Sequence, residues 1–172
     1  MRKTALTALV LLAPAAPAQA KLPEIKTGGV EYEEVSTSEP DLDLVAGQVV
    51  NNGAPLPSRV QRIVEAANRI AHKPYLWGGG HSRFRADGYD CSGSVSYALH
   101  GGNFLRRPRD SSGLAAWSKP GRGKWFTVYA NSGHTYIVVG KFRFDTWGGR
   151  GPRWHKSSRS SAGFTARYAP GY

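Results

Sequence analysis

The sequence contains a single cysteine, Cys91, among 172 residues. A lone cysteine excludes an intramolecular disulfide and leaves three uses: a small buried side chain, an intermolecular bond or a free reactive thiol. The scarcity of cysteine also argues against a zinc site, because the five histidines lack the close pair spacing that zinc sites use. We therefore expect neither a metal ion nor a cofactor.

An apolar run long enough to span a membrane is also missing. Residues 1–20 come nearest, with Arg2 and Lys3 followed by a short apolar stretch that ends in an Ala-Gln-Ala motif. This arrangement is typical of a secretory signal peptide and its small-residue cleavage site. We therefore predict an exported protein, located in the cell wall or periplasm, with no transmembrane anchor.

Acidic side chains are few, since 12 Asp and Glu stand against 23 Lys and Arg, for a net charge of +11. Residues 21–55 nevertheless hold seven acidic and two basic side chains, whereas residues 56–172 hold five acidic and nineteen basic ones. Residues 21–55 are rich in turn residues and lack periodicity, which predicts a flexible acidic arm. Residues 56–172 are predicted to form one basic domain, suited to anionic cell-wall polymers, to nucleic acid or simply to solubility.

Two helices are predicted at the start of this domain. The first has Ser58 as its N-cap and ends before Pro74. The second begins near Cys91 and ends at Gly101 and Gly102. The apolar stripe of the first helix comprises Val60, Ile63, Val64, Ala67, Ile70 and Ala71. The stretch "YLWGGGHSRFRADG" between the helices lacks the spacing and the Lys-Ser/Thr ending of a phosphate loop, which excludes that kind of nucleotide site.

Strands are predicted after the helices, at "KWFTVYA", "HTYIVVG" and "KFRFDTW", with a possible last edge strand at "GFTARYA". A two-residue turn at Gly140 and Lys141 would pair Val139 with Phe142. The remainder of the tail is basic and rich in turn residues. Helices followed by antiparallel strands indicate an α+β fold.

A thiol attacks as its thiolate, and a helix N-terminus or a nearby histidine lowers its pKa. Cys91 is predicted to stand at a helix N-terminus. His134 opens the strand after the turn "ANSG", and the predicted hairpin places Asp145 diagonally across from it, within side-chain reach. This geometry suits a catalytic triad, although a surface His–Asp pair is the alternative. Among the other histidines, His81 in the glycine loop is only a weak candidate for lining the cleft, and His155 is expected in the exposed tail.

Five motifs occur in order between residues 60 and 147: "PYLWGGG", "YDCSGSVSYAL", "RPRDS", "GHTYIVVG" and "FD". In combination they resemble the NlpC/p60 cysteine peptidases, papain-like enzymes that cut bacterial cell-wall peptides. The resemblance implies N-terminal helices packed on a central antiparallel sheet. It also implies Cys91 as nucleophile, His134 as base and Asp145 as the third polar residue. The chain departs from the family at Arg122, where an acidic residue usually follows Pro-Gly.

Further site residues follow from the same resemblance. Tyr75 corresponds to a tyrosine near the oxyanion, and Asp90 and Ser92 correspond to positions near the peptide end of the substrate. Helix capping is the alternative interpretation of Asp90 and Ser92. Trp77 and Trp147 are candidates for walls of the cleft, with core packing as the alternative.

The function predicted from these residues is hydrolysis of amide bonds in peptidoglycan stem peptides by a secreted cysteine peptidase. An amidase that cuts between sugar and peptide, of the N-acetylmuramoyl-L-alanine type, would use the same thiol chemistry. A catalytically silent cell-wall-binding protein is an alternative of another class. Binding to nucleic acid is not expected, because no recognition motif is present and the chain is predicted to be exported.

Overall fold

The computed structural model describes residues 40–172. The predicted signal peptide and residues 21–39 of the predicted arm lie outside the described residues. None of the described helices is long and apolar enough to cross a membrane. The elements in chain order are β1 (Leu42–Val45), β2 (Gln48–Asn51), α1 (Ser58–Ile70), α2 (Cys91–Gly101), α3 (Ser111–Ala115), β3 (Lys119–Pro120), β4 (Phe126–Ala130), β5 (Thr135–Val139), β6 (Phe142–Asp145), β7 (Arg153–Lys156) and β8 (Thr165–Tyr168).

Six strands form one antiparallel sheet in the order β3-β8-β4-β5-β6-β7. The central strands β4, β5 and β6 are almost entirely buried, because α2 packs against β5 and β6 and α3 packs against β4. The predicted α+β fold, with N-terminal helices on a central antiparallel sheet, is confirmed. The predicted pairing of Val139 with Phe142 across the β5–β6 turn is also confirmed.

The N-cap residue of helix α1 lies one residue before the predicted one. Pro57, with φ −50° and ψ 133°, is the N-cap residue, and no side chain caps the helix. The prediction of Ser58 as N-cap is therefore wrong, because the φ of Pro57 is already set by its ring and Ser58 is itself helical. The predicted apolar stripe is confirmed as the buried face, which comprises Val60, Ile63, Val64, Ala66, Ala67 and Ile70.

The hairpin of β1 and β2 lies where the sequence predicted a flexible arm. Leu42 and Val49 are buried in the hydrophobic core. Asn68 of α1 holds the hairpin by accepting from the Val49 N–H (3.0 Å) and donating to the Val49 carbonyl (2.8 Å). The prediction of a flexible arm is wrong for residues 42–51. Two four-residue strands with few core-facing side chains carry too little periodicity to be detected, and tertiary contacts order them.

The C-terminal tail contains two strands, one of which the sequence missed. The stretch "GFTARYA" does form a strand, β8, but β8 lies between β3 and β4 instead of at an edge. The missed strand β7 occupies the edge beside β6 and carries His155 opposite Arg143. His155 is half-buried, which corrects its predicted exposure, because pairing with β6 brings its ring onto the sheet.

Contacts between glycine backbones place the loop of residues 76–81 against the start of α2. A Cβ on Gly93 would lie 1.9 Å from the carbonyl oxygen of Gly79 and 3.1 Å from the Cα of Gly80. The Asp90 N–H also donates to the Gly79 carbonyl (3.3 Å). This close approach therefore requires glycine on both segments, at Gly79 and Gly80 in the loop and at Gly93 in α2.

Replacement of Gly93 by alanine tests this packing. Alanine normally stabilises a helix interior by about 1 kcal/mol relative to glycine. Here we expect Gly93→Ala to lower the free energy of unfolding by about 1–3 kcal/mol, because the added methyl group overpacks the contact. Urea denaturation measures the change. Gly133→Ala is the control, since its Cβ would meet nothing nearer than Asn131 Oδ1 at 3.8 Å. A stabilised Gly93→Ala variant would contradict the packing described.

Candidate active site

An open cleft of about 460 Å³ lies at the N-terminus of α2. Its walls come from the loop of residues 75–81, the start of α3, the turn before β5 and the loop after β6. Asp145 lies behind His134 and does not line the cleft. The predicted site residues that line it are Tyr75, Trp77, Asp90, Cys91, Ser92, His134 and Trp147.

Cys91 is the first residue of α2 and is half-buried. Asp90 caps the helix by accepting from the Gly93 N–H (2.8 Å). The free N–H groups of a first helical turn favour a negative charge on the thiol. Burial by itself raises the pKa of Cys91, but the interactions of the thiol with His134 and with Ser111 outweigh burial and lower the pKa overall. The Cys91 Sγ lies 3.8 Å from the Ser111 Oγ.

His134 is held in place from its backbone and from its ring. Asn131 Oδ1 accepts from the N–H groups of Gly133 (3.0 Å) and His134 (2.9 Å), which fixes the turn before β5. The His134 Nε2 lies 2.8 Å from the Asp145 Oδ1, so Nδ1 is the ring nitrogen available to the thiol. The hydrogen bond with Asp145, followed by the interaction with the Cys91 thiol, raises the pKa of His134 to about 9. A lowered pKa for the thiol and a raised pKa for the imidazole both favour a thiolate–imidazolium pair.

Asp145 ends strand β6 and is only 1% exposed. Its Oδ1 contacts His134, while its Oδ2 accepts from the Arg143 Nε at 2.6 Å and also contacts the Arg143 Nη2. Burial alone would raise the pKa of Asp145. The hydrogen bond and charge of His134 and the charge of Arg143 lower the pKa by more than burial raises it. The carboxylate is thus ionised and fully engaged.

Asp90 and Ser92 belong to a polar cluster with His81. The His81 Nε2 lies 2.8 Å from the Asp90 Oδ2 and 2.8 Å from the Ser92 Oγ. Asp90 also accepts from the Gly78 N–H (3.1 Å), in addition to capping α2 through Gly93. The capping interpretation of Asp90 therefore holds whatever else it does. His81 lines the cleft, although the sequence made it only a weak candidate and did not predict its partners.

Aromatic side chains stand at the rim of the cleft. Trp77 is 86% exposed and Trp147 is 57% exposed, so core packing is excluded for both. The guanidinium carbon of Arg159 lies 3.8 Å from the centre of the Trp147 ring. Tyr75 lines the cleft, and burial, followed by the charges of Cys91 and Asp90, raises its pKa.

Two residues of the site were missed at the level of sequence. Arg143 stands two residues before Asp145, and the alternation of β6 places both side chains on one face. The alternation in "KFRFDTW" is the signal that indicates this pairing. Ser111 ends the motif "RPRDS", but that motif did not predict its position beside Cys91, which depends on tertiary packing. Residues 40–172 hold no group of three or more His, Cys, Asp or Glu side chains arranged to bind a metal ion.

Comparison with known proteins identifies the fold. No protein-family model and no curated protein matches the chain. Among solved structures, the peptidoglycan hydrolase RipB from Mycobacterium tuberculosis shares 21% identity over 72% of this chain and 75% of its own, with a TM-score of 0.54. RipD from the same organism, a non-catalytic NlpC/p60 domain protein adapted to peptidoglycan binding, shares 15% identity over 66% and 98%, with a TM-score of 0.51. The chain therefore has the fold of NlpC/p60 domains.

The pairing of Cys91 with His134 can be tested without a substrate. Cys91 is the only cysteine, so iodoacetamide reports on it alone. The alkylation rate should rise with pH as the thiolate forms, with a midpoint below that of an ordinary thiol. In His134→Ala we expect the midpoint to move to higher pH, because burial still opposes ionisation while the histidine's contribution is lost. His72→Asn, outside the cleft, is the control. An unchanged midpoint in His134→Ala would rule out the pairing.

Proposed function

We propose that this protein is an exported cysteine peptidase that hydrolyses amide bonds in peptidoglycan stem peptides. The supporting observation is a thiol of lowered pKa at a helix N-terminus, in an open cleft, beside a histidine held by a buried carboxylate. The peptidoglycan substrate is supported by the fold, which RipB and RipD share. Secretion rests on the signal-peptide pattern in residues 1–20.

In the proposed reaction the Cys91 thiolate attacks the carbonyl carbon of the scissile amide. The Cys91 N–H, in the first turn of α2, and the Tyr75 hydroxyl stabilise the oxyanion. The His134 imidazolium donates its proton to the leaving amine as the C–N bond breaks, which leaves a thioester. Neutral His134 then takes a proton from water as the water attacks the thioester, and the thiolate departs with the imidazolium restored.

Asp145 acts on the reaction through His134. Its hydrogen bond to Nε2 keeps the ring in the orientation and tautomer that present Nδ1 to the thiol. Because Asp145 is 1% exposed, water does not compete for this hydrogen bond. The buried position therefore suits a residue that orients the base.

Substrate contacts are proposed for three side chains that line the cleft. Asp90 and Ser92 lie beside the nucleophile, where they can hold the polar end of a peptide, and Trp77 offers a large exposed face. Anionic cell-wall polymers are proposed to bind the basic surface. Among the lysine and arginine side chains of residues 40–172, only Lys141 and Arg143 form ion pairs with carboxylates, so most of these cations are available.

The proposed hydrolysis is tested with peptidoglycan and free muropeptides. Protein from Lys21 onward, with its Cys91 thiol kept reduced, is incubated with each substrate. Mass spectrometry then measures the masses of the products. We expect split stem peptides from the native protein and none from Cys91→Ala, which removes the nucleophile. Release of whole stem peptides from glycan would instead identify the amidase alternative.

Loss of products as pH rises through about 9 is also expected, because His134 then loses the proton that the leaving amine requires.

A cell-wall-binding protein without activity is the second candidate. It is favoured by the basic residue at Arg122, by the net charge of +11 and by the fold shared with the non-catalytic RipD. Binding to the wall would then be electrostatic and should weaken as salt rises. Sedimentation with purified wall material at increasing salt measures it. Equal binding by the native protein and by Cys91→Ala, with no products from either, would replace the peptidase proposal with this one.

A further inference from the structure

Arg143 lies behind the His134–Asp145 pair and is 4% exposed. Its guanidinium reaches the Oδ2 of Asp145 through Nε (2.6 Å) and Nη2, while the Oδ1 of the same carboxylate holds the His134 ring. The three side chains therefore form a continuous guanidinium–carboxylate–imidazole series. In the described structure Arg143 does not line the cleft, because Asp145 and His134 lie between the Arg143 guanidinium and the cleft.

Aromatic packing fixes the guanidinium in this position. The Arg143 guanidinium carbon lies 3.4 Å from the centre of the Tyr136 ring. Tyr136 is 2% exposed, stacks on Tyr129 with ring centres 5.1 Å apart, and meets the edge of Phe164 at 5.0 Å. A planar cation stacked on a buried ring has little freedom to leave its partner. The orientation of Asp145 is therefore set by Arg143 as much as by His134.

We propose that Arg143 is a positioning residue that fixes the Asp145 carboxylate and balances its charge, so that His134 faces a nearly neutral pair. The inference rests on the proposed function, in which His134 must return a proton to the leaving amine. An unbalanced buried carboxylate would hold the imidazolium proton too firmly for that step. An unbalanced buried guanidinium would instead repel the imidazolium and weaken the thiolate pair.

Other titratable groups around the pair do not supply this balance. Burial raises the pKa of Tyr136. The charge of Arg143 lowers it by less, so the pKa stays raised and the hydroxyl is neutral. Burial, partly opposed by Asp145, lowers the pKa of His155 on β7, so its ring is neutral at neutral pH. The remaining charged groups that act on these side chains are Cys91 from α2, Arg153 from β7 and Arg159 from the following loop.

A double-mutant cycle on Arg143 and Asp145 tests the inference. The variants are Arg143→Met, Asp145→Asn and the double variant, and kcat/KM is measured on the muropeptide that the native protein cuts. We expect each single variant to lose roughly tenfold or more, because each leaves one buried charge unbalanced. The double variant has a neutral pair in place of the two charges. Its kcat/KM should therefore be about tenfold or more higher than the value expected if the two single losses simply multiplied. Losses that simply multiply would overturn the inference.

Folding is controlled within the same set. Arg143→Lys keeps the charge without the planar fork and should retain more activity than Arg143→Met. Thermal melting of every variant shows which of them are folded. If the single variants unfold, the double variant decides: a folded and active double variant supports charge balance, and a folded but inactive one contradicts it.

Titration of His134 separates this inference from the proposed function. In the Cys91→Ala background, NMR follows the His134 ring, which is assigned by its loss in His134→Ala. We expect Arg143→Met to raise the His134 midpoint by roughly one pH unit, Asp145→Asn to lower it, and Arg143→Lys to leave it near its starting value. An unchanged midpoint in Arg143→Met overturns the inference. Shifts of the expected sign without any turnover of muropeptides would overturn the peptidase proposal alone.

Discussion

The hydrogen bond between His134 Nε2 and Asp145 Oδ1 is the contact on which the site depends. It joins the beginning of β5 to the end of β6, so the register of one hairpin decides whether it forms. A slip of one residue would turn Asp145 to the opposite face of the sheet. The turn at Gly140 and Lys141 and the buried phenylalanines of β6 set that register, which makes the chemistry of the site a consequence of sheet packing.

The thiol is brought to this pair by a separate constraint. Helix α2 packs on β5 and β6, and its first turn lies against the glycines of residues 78–80. Asp90 closes the helix N-terminus and also receives the Gly78 N–H, so one carboxylate orders both the helix and the loop. The nucleophile therefore sits on a rigid element, where its orientation toward His134 depends little on loop motion.

The fold alone leaves the activity open. The same architecture occurs in RipB, a peptidoglycan hydrolase, and in RipD, a non-catalytic NlpC/p60 domain protein. What separates the two outcomes must be a local arrangement of side chains. In this chain the local arrangement consists of a thiol, an imidazole and a carboxylate whose charges are mutually supported, with Arg143 completing the series. That coherence is the physical reason for proposing an enzyme.

The sequence by itself determined helices α1 and α2, the three central strands, the place of Cys91 at the start of α2 and the approach of His134 to Asp145 across one hairpin. These elements carry strong local signals, namely a 3.6-residue apolar stripe, β-branched runs and a two-residue turn. Tertiary structure alone decided the hairpin of residues 42–51, the strand β7 and the inward position of β8. These short strands bury few side chains, and their order comes from contacts with distant partners such as Asn68. The alternation of β6 places Arg143 and Asp145 on one face, but only tertiary packing buries the pair, and burial makes an ion pair depend on having both partners.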